Sequence, residues 1–225
     1  MTRLKTIIGM LAVSFALSGA ASATIITDDP SLPPTVGSYF SKEGPVEYAG
    51  PDLALINIIH FGFIIIILNT IVADVFELFD STVTGFAGPI GGPFNQPVTL
   101  SGLVRIQVFG KAGNTTGTFQ TEMLQLDLSG AGIMVRESPT LASLGQTTIS
   151  DIGGGVFKID SFFDVFSELS LDFGSTWFQS TGSHRVELVP EPASLALLAL
   201  GLGALGVVRV RVRSRSMNMG GAVRA

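Results

Sequence analysis

The chain contains no cysteine, only two histidines and a single tryptophan in 225 residues. Without cysteine it cannot form a disulfide framework, a thiolate metal site or a cysteine nucleophile, and two histidines exclude a three-histidine metal centre. Charged residues are also scarce, at 14%, whereas hydrophobic residues make up 46%. The length suits one ordinary domain with short appendages.

Basic residues are concentrated at the two ends of the chain. Residues 24–189 hold only six of the 13 basic residues but 17 of the 18 acidic ones, which gives this middle part a formal charge of about −11. Such an acidic body repels phosphate groups. The charge distribution therefore argues against nucleic acid as a partner.

Residues 1–23 have the order of a secretory signal peptide. Two basic residues precede a short apolar run from Ile7 to Leu17, and small residues follow up to Ala21 and Ala23. Small side chains at these last two positions suit a signal peptidase, so we predict export through the Sec translocon and cleavage after Ala23. The alternative is an uncleaved membrane anchor, for which the apolar run is short.

The other end of the chain has a second membrane signal. The stretch 193–208 contains no charged residue and would span about 24 Å as a helix, somewhat less than the roughly 30 Å hydrocarbon core. A cluster of arginines follows within 209–215, and a short tail occupies 216–225. The positive-inside rule keeps these arginines cytoplasmic and places the acidic body on the opposite side of the membrane. The clustered residues are Arg209, Arg211, Arg213 and Arg215.

A Pro-Glu-Pro motif stands directly before the apolar stretch, at Pro190, Glu191 and Pro192. With the apolar stretch and the arginine cluster it resembles the PEP-CTERM sorting signal of Gram-negative bacteria, although the tail 216–225 is longer than is usual there. The resemblance implies processing by an exosortase, transient anchoring in the inner membrane, then release to the cell surface or medium. It also implies a link to exopolysaccharide or biofilm. A plain C-terminal anchor, covering residues 189–215, is the alternative.

The middle of the chain has the two-residue period of β-strands. Val98, Leu100 and Val104 share one face of a segment whose intervening residues are mostly polar, and Gly-rich turns separate such segments. This pattern predicts an all-β domain over residues 24–188, a single antiparallel β-sandwich-like domain. The signal peptide helix and the C-terminal transmembrane helix would flank it.

One apolar stretch, Leu53–Phe76, allows two interpretations. Its β-branched residues and its interruptions by polar side chains favour two buried strands. The alternative is an internal transmembrane helix, which would place the two halves of the body on opposite sides of the membrane.

Candidate chemistry in the body depends on carboxylates. Asp151, Asp160 and Asp164 lie in or near Gly-rich turns and could bind calcium, the one cofactor that the sequence suggests. Paired carboxylates could also serve glycoside hydrolysis, but their even spacing is typical of a solvated strand face. The carboxylates considered for hydrolysis are Asp160, Asp164, Glu168 and Asp172.

These observations lead to one principal functional hypothesis and two alternatives. The principal hypothesis is a non-enzymatic, exported surface or matrix protein whose partners are the exosortase and, after release, exopolysaccharide. The first alternative is a carbohydrate-binding module that uses Trp177, Phe178 or Tyr48 as stacking platforms. The second is a secreted glycosidase.

Overall fold

The computed structural model describes residues 24–190. Every regular element in this part of the chain is a β-strand, and the described residues include no helix with the length and apolar character to cross a bilayer. The all-β prediction is therefore confirmed. The predictions outside the described residues are those for the signal peptide 1–23 with Ala21 and Ala23, for Glu191 and Pro192, for the helix 193–208, for the arginine cluster and for the tail 216–225.

Thirteen strands follow one another along the described chain. They are β1 (Ile25–Thr27), β2 (Gly37–Ser41), β3 (Val46–Tyr48), β4 (Leu53–Ile71), β5 (Asp74–Gly88), β6 (Gln96–Val108), β7 (Gly117–Gly130), β8 (Ile133–Glu137), β9 (Ser143–Gly153), β10 (Val156–Val165), β11 (Ser167–Ser170), β12 (Phe178–Gln179) and β13 (His184–Pro190).

Eight of these strands form a closed antiparallel barrel, in the order β10–β13–β2–β4–β5–β6–β7–β9 and back to β10. Strand β9 closes the ring because it pairs with β7 along one edge and with β10 along the other. The sandwich-like arrangement predicted from the sequence is therefore wrong in its layering, since a single sheet curls onto itself. The remaining strands attach outside the ring: β1 to β10, β3 to β4, and the series β8–β11–β12 to β7.

Irregular pairing bends the longest strands into this ring. The pairing of β4 with β5 shifts register at three places, and that of β6 with β7 shifts between Arg105 and Ile106. Such bulges increase the local twist and curvature of a sheet. The shift in β7 leaves Leu124 half-buried, while Met123 and Leu126 on either side of it are buried.

The alternating apolar residues fill the barrel. On β6, Val98, Leu100, Val104, Ile106 and Val108 are all buried, as their shared face predicts. Comparable rows from the other strands complete a single apolar core. At one end, the segment between β1 and β2 covers the core with Leu32 and the two prolines that follow it, all fully buried. We call this the plugged end of the barrel.

The stretch Leu53–Phe76 forms strands and no helix, but not the two buried strands that its composition predicts. It contains all of β4, the two-residue turn at Val72 and Ala73, and the start of β5. The first part of β4 contributes Ala54 and Leu55 to the core, whereas most side chains after Phe63 are exposed. The strongest apolar run in the body is thus largely a surface feature.

Candidate functional site

The last strand of the barrel leads directly into the Pro-Glu-Pro motif. Val189 pairs with Ser38, and Pro190 pairs with Gly37, so the first proline of the motif is also the last residue of β13. Proline cannot donate a backbone hydrogen bond, which suits its place at a strand end. Pro190 is exposed, whereas Leu188 is buried. No spacer separates the barrel from the motif.

Strand β13 is held more firmly at its beginning than at its end. Residues 184–187 pair with β10, and residues 186–190 pair with β2, so the last three residues have a partner on one side only. Arg185 donates two hydrogen bonds to Asp164, at 2.8 and 2.7 Å, and so ties the first half to β10. Strand separation from the motif end would therefore break the pairing with β2 first.

The three predicted calcium ligands do not come together. Asp151 accepts a hydrogen bond from the backbone amide of Gly153 at 2.7 Å, at the end of β9. Asp160 lies 3.3 Å from the Lys158 ammonium group and also accepts the Thr24 hydroxyl, while Asp164 is paired with an arginine. Within residues 24–190 no group of three histidine or acidic side chains is arranged to hold a metal ion.

The carboxylates considered for hydrolysis are also engaged. Glu168 accepts two hydrogen bonds from the guanidinium group of Arg136, at 2.8 and 2.7 Å. Asp172 accepts bonds from the Thr176 amide and the Ser170 hydroxyl, which lower its pKa to about 2. These contacts fix the carboxylates in ion pairs and turns along the outer surface.

The three aromatic residues proposed as stacking platforms are all at least half-buried. Tyr48 is fully buried, and its hydroxyl lies 2.7 Å from that of Ser167. Phe178 packs against the core and sits so close to Gly50 that a β-carbon there would overlap the ring. Trp177 is half-buried beneath the Arg136 guanidinium group, 4.0 Å from the ring centre.

The barrel interior contains two histidines beside an apolar cavity of about 50 Å³. His60 and His184 both line this cavity, and burial lowers the pKa of each to about 4. The positive charge that a protonated His184 would carry also disfavours protonation of His60. His184 is 6% exposed, and its Nε2 atom has no hydrogen-bond partner within residues 24–190. Both imidazoles are therefore neutral at neutral pH.

A buried acid, Glu77, is the interior group that the sequence interpretation missed. It is 1% exposed near the plugged end of the barrel, and burial raises its pKa to about 8 although Lys111 and a backbone hydrogen bond from Leu32 act against this shift. The alternation on β5 could have revealed it, because Glu77 has the same parity as the buried residues Val75 and Phe79.

Comparison with known protein families identifies a sorting motif in the C-terminal part of the chain. Residues 188–214 match the PEP-CTERM protein-sorting motif, which confirms the resemblance seen in the sequence. The match begins at Leu188, within β13, so barrel and sorting motif share their boundary residues. The motif implies an exported, membrane-anchored precursor that an exosortase processes. The searches of curated proteins and of solved structures gave no match for the chain.

Proposed function

We propose that this protein is a non-enzymatic structural component of the cell surface or extracellular matrix, associated with exopolysaccharide or biofilm. The observation that carries the proposal is the direct joining of a closed barrel to a sorting motif through β13. A compact folded body with its sorting signal at the end of its last strand suits cargo that is exported, anchored and then released whole. The acidic charge of residues 24–189 keeps released copies apart.

The contacts of the surface carboxylates support a structural role. Asp164, Glu168 and Asp160 each pair with a basic side chain, which fixes the position of the carboxylate. A glycosidase uses two carboxyl groups that flank the scissile bond of its substrate. Carboxylates that are held by arginine and lysine side chains are less free to take that position.

Replacing Glu191 with alanine is expected to trap the membrane-anchored precursor. The motif places one acidic residue between two prolines, and the exosortase would read that charge. In a Gram-negative host that contains an exosortase, fractionation and blotting should show the variant in the inner membrane and the unaltered chain outside the cell. Equal release of both chains would remove Glu191 from the recognition set.

Glu187→Ala is the matched control for this experiment. Glu187 is also on the approach to the motif, but its carboxylate pairs with Lys42 at 2.9 Å on the barrel surface. An exposed pair of this kind contributes at most about 1 kcal/mol to folding. We expect Glu187→Ala to be processed like the unaltered chain, so that trapping by Glu191→Ala reflects recognition and not loss of one negative charge.

Two assays on the released protein test the non-enzymatic proposal. A glycan array would detect a carbohydrate-binding module, and a hydrolysis screen with polysaccharide substrates would detect a glycosidase. If binding occurs and Trp177→Ala abolishes it, the stacking residue on the surface is a glycan platform and the protein is a binding module. Turnover that Glu168→Gln removes would establish an enzyme. We expect neither result.

A further inference from the structure

An uncharged hairpin tip carries most of the exposed aliphatic side chains of the barrel's strands. Residues 61–73, here called the apolar tip, form the end of β4 and the turn into β5 and contain no charged residue. Val72, in the turn, is 97% exposed. The exposed large side chains of the apolar tip are Ile64, Ile66, Ile67, Leu68, Ile71 and Val72.

The apolar tip also has a free backbone edge. Strand β2 pairs with β4 only at Ile59 and His60, so within residues 24–190 the rest of β4 beyond this point is paired with β5 alone. Soluble proteins protect such edges with charged side chains, prolines or covering segments. The apolar tip has neither charge nor proline, which indicates a surface that meets something other than water.

The direction of the strands places the apolar tip at the end of the barrel where the chain leaves for the membrane. Tyr39 pairs with His60, and Pro190 pairs with Gly37, two residues before Tyr39. Beyond His60, β4 therefore runs towards Pro190 and past it. The nine residues from Phe63 to Ile71 extend the hairpin roughly 20–30 Å beyond this level, allowing for the bulges in β4.

The short connection to the membrane segment limits how far this end of the barrel can stand from the bilayer. The uncharged stretch 193–208 begins three residues after Pro190. Three residues span at most about 10 Å, which is less than the distance by which the hairpin runs past Pro190. When the stretch 193–208 is in the membrane, the apolar tip can therefore reach the lipid surface.

We propose that the apolar tip inserts into the bilayer interface while the precursor is anchored. The inference rests on the anchored precursor of the proposed function. Aliphatic side chains without charge partition into the interface, whereas the acidic remainder of the barrel stays in water. The tip and the C-terminal segment would then hold the barrel at two points, with the Pro-Glu-Pro motif between them at the membrane surface.

The absence of native cysteine allows a direct test with single labelled positions in the full chain. Val72→Cys carries an environment-sensitive fluorophore at the apolar tip. Phe173→Cys is the matched control, because Phe173 is 88% exposed, also has a positive φ of 59°, and follows β11 at the opposite end of the barrel. Both proteins are reconstituted into vesicles of phosphatidylethanolamine and phosphatidylglycerol that contain doxyl-labelled lipid as quencher.

We expect the fluorescence of the label in Val72→Cys to shift to the blue and to be strongly quenched by the doxyl-labelled lipid. The label in Phe173→Cys should show neither effect. If the chains float with the vesicles but the label in Val72→Cys has the emission spectrum of a fluorophore in water, the inference is overturned, whereas the proposal of an anchored precursor stands. If the chains do not float with the vesicles, the inference and the proposal of an anchored precursor are both overturned. A blue shift at Val72 that is insensitive to the lipid quencher and disappears when the protein is diluted in lipid identifies a second copy of the chain as the occupant, which also overturns the inference.

Discussion

Valine in place of Gly145 is expected to prevent closure of the barrel. Gly145 is in β9, between Thr121 of β7 and Phe163 of β10, at the seam where the sheet closes. A β-carbon here would overlap the Phe162 carbonyl oxygen and approach Thr121 Oγ1 to 2.7 Å. The carbonyl belongs to a paired strand and cannot move without breaking the ladder. We expect a loss of about 3 kcal/mol or more in the free energy of unfolding.

Urea denaturation followed by circular dichroism would measure this effect. Gly44→Val is the matched control, because a β-carbon at Gly44 has no neighbour within 4 Å and the backbone there does not require a positive φ. The control is expected to change the free energy of unfolding by no more than about 0.5 kcal/mol. If both variants unfold at the same urea concentration, the seam tolerates a side chain and our description of the closure is wrong.

The sequence predicts the strands and their inward faces well, because alternation is a local property. The buried row from Val98 to Val108 follows directly from its period of two. Leu124 alternates with Leu126 and Leu128 in the sequence, but it is only half-buried because a register shift changes parity along β7. Closure of the barrel could not be predicted from the sequence, because a sandwich and a barrel have the same alternation of apolar and polar residues. They differ in whether the two edge strands of the sheet pair with each other. That pairing depends on β9, whose sequence contains no signal for two partners.

The stretch Leu53–Phe76 shows a different limit of sequence interpretation. A run of isoleucines predicts burial, but it does not indicate whether a core or a membrane provides it. In this barrel the core is filled by residues such as Phe63 and Phe79, and the isoleucines that follow Phe63 along β4 lie beyond the pairing of β4 with β2. Their exposure is visible only once the register of β2 with β4 is known.

Functional residues were predictable where a linear motif defines them. The residues from Pro190 to Pro192 form such a motif, and their recognition needs no fold. The proposed calcium ligands depend on which strands are adjacent, and the fold gives Asp160 and Asp164 basic partners of their own. Glu77 was missed because acidic residues are expected outside, although its strand parity already places it inside.

The buried ionisable groups predict how stability depends on pH. His60 and His184 have a pKa of about 4 in the barrel and about 6.5 when unfolded. Below pH 6.5 the unfolded chain binds more protons than the folded one, so stability falls as the pH drops towards 4. Each histidine alone would cost about 3 kcal/mol over that interval.

Glu77 acts in the opposite direction. Its pKa is about 8 in the fold and 4.5 when unfolded, so the folded chain retains a proton that the unfolded chain releases. The stability that this proton contributes is complete below pH 4.5 and is lost as the pH rises through 8. Burial also raises the pKa of Glu137, to about 7, but this side chain is more exposed and contributes less. Between pH 4.5 and 6.5 the acids and the histidines partly compensate.

Above pH 6.5 the protonation of the histidines no longer changes in either the folded or the unfolded chain. Because Glu77 still differs between the two states, we expect the free energy of unfolding to decrease by about 1–2 kcal/mol by pH 8. Urea midpoints measured from pH 4.5 to 8 would show a partly compensated rise up to about pH 6.5, followed by this decline. In Glu77→Gln the decline should shrink, and the loss of stability on the acid side should become steeper because only the histidines remain. His184→Gln should keep the decline above pH 6.5 and lessen the acid loss. An alkaline decline that persists at full size in Glu77→Gln would show that another group causes it.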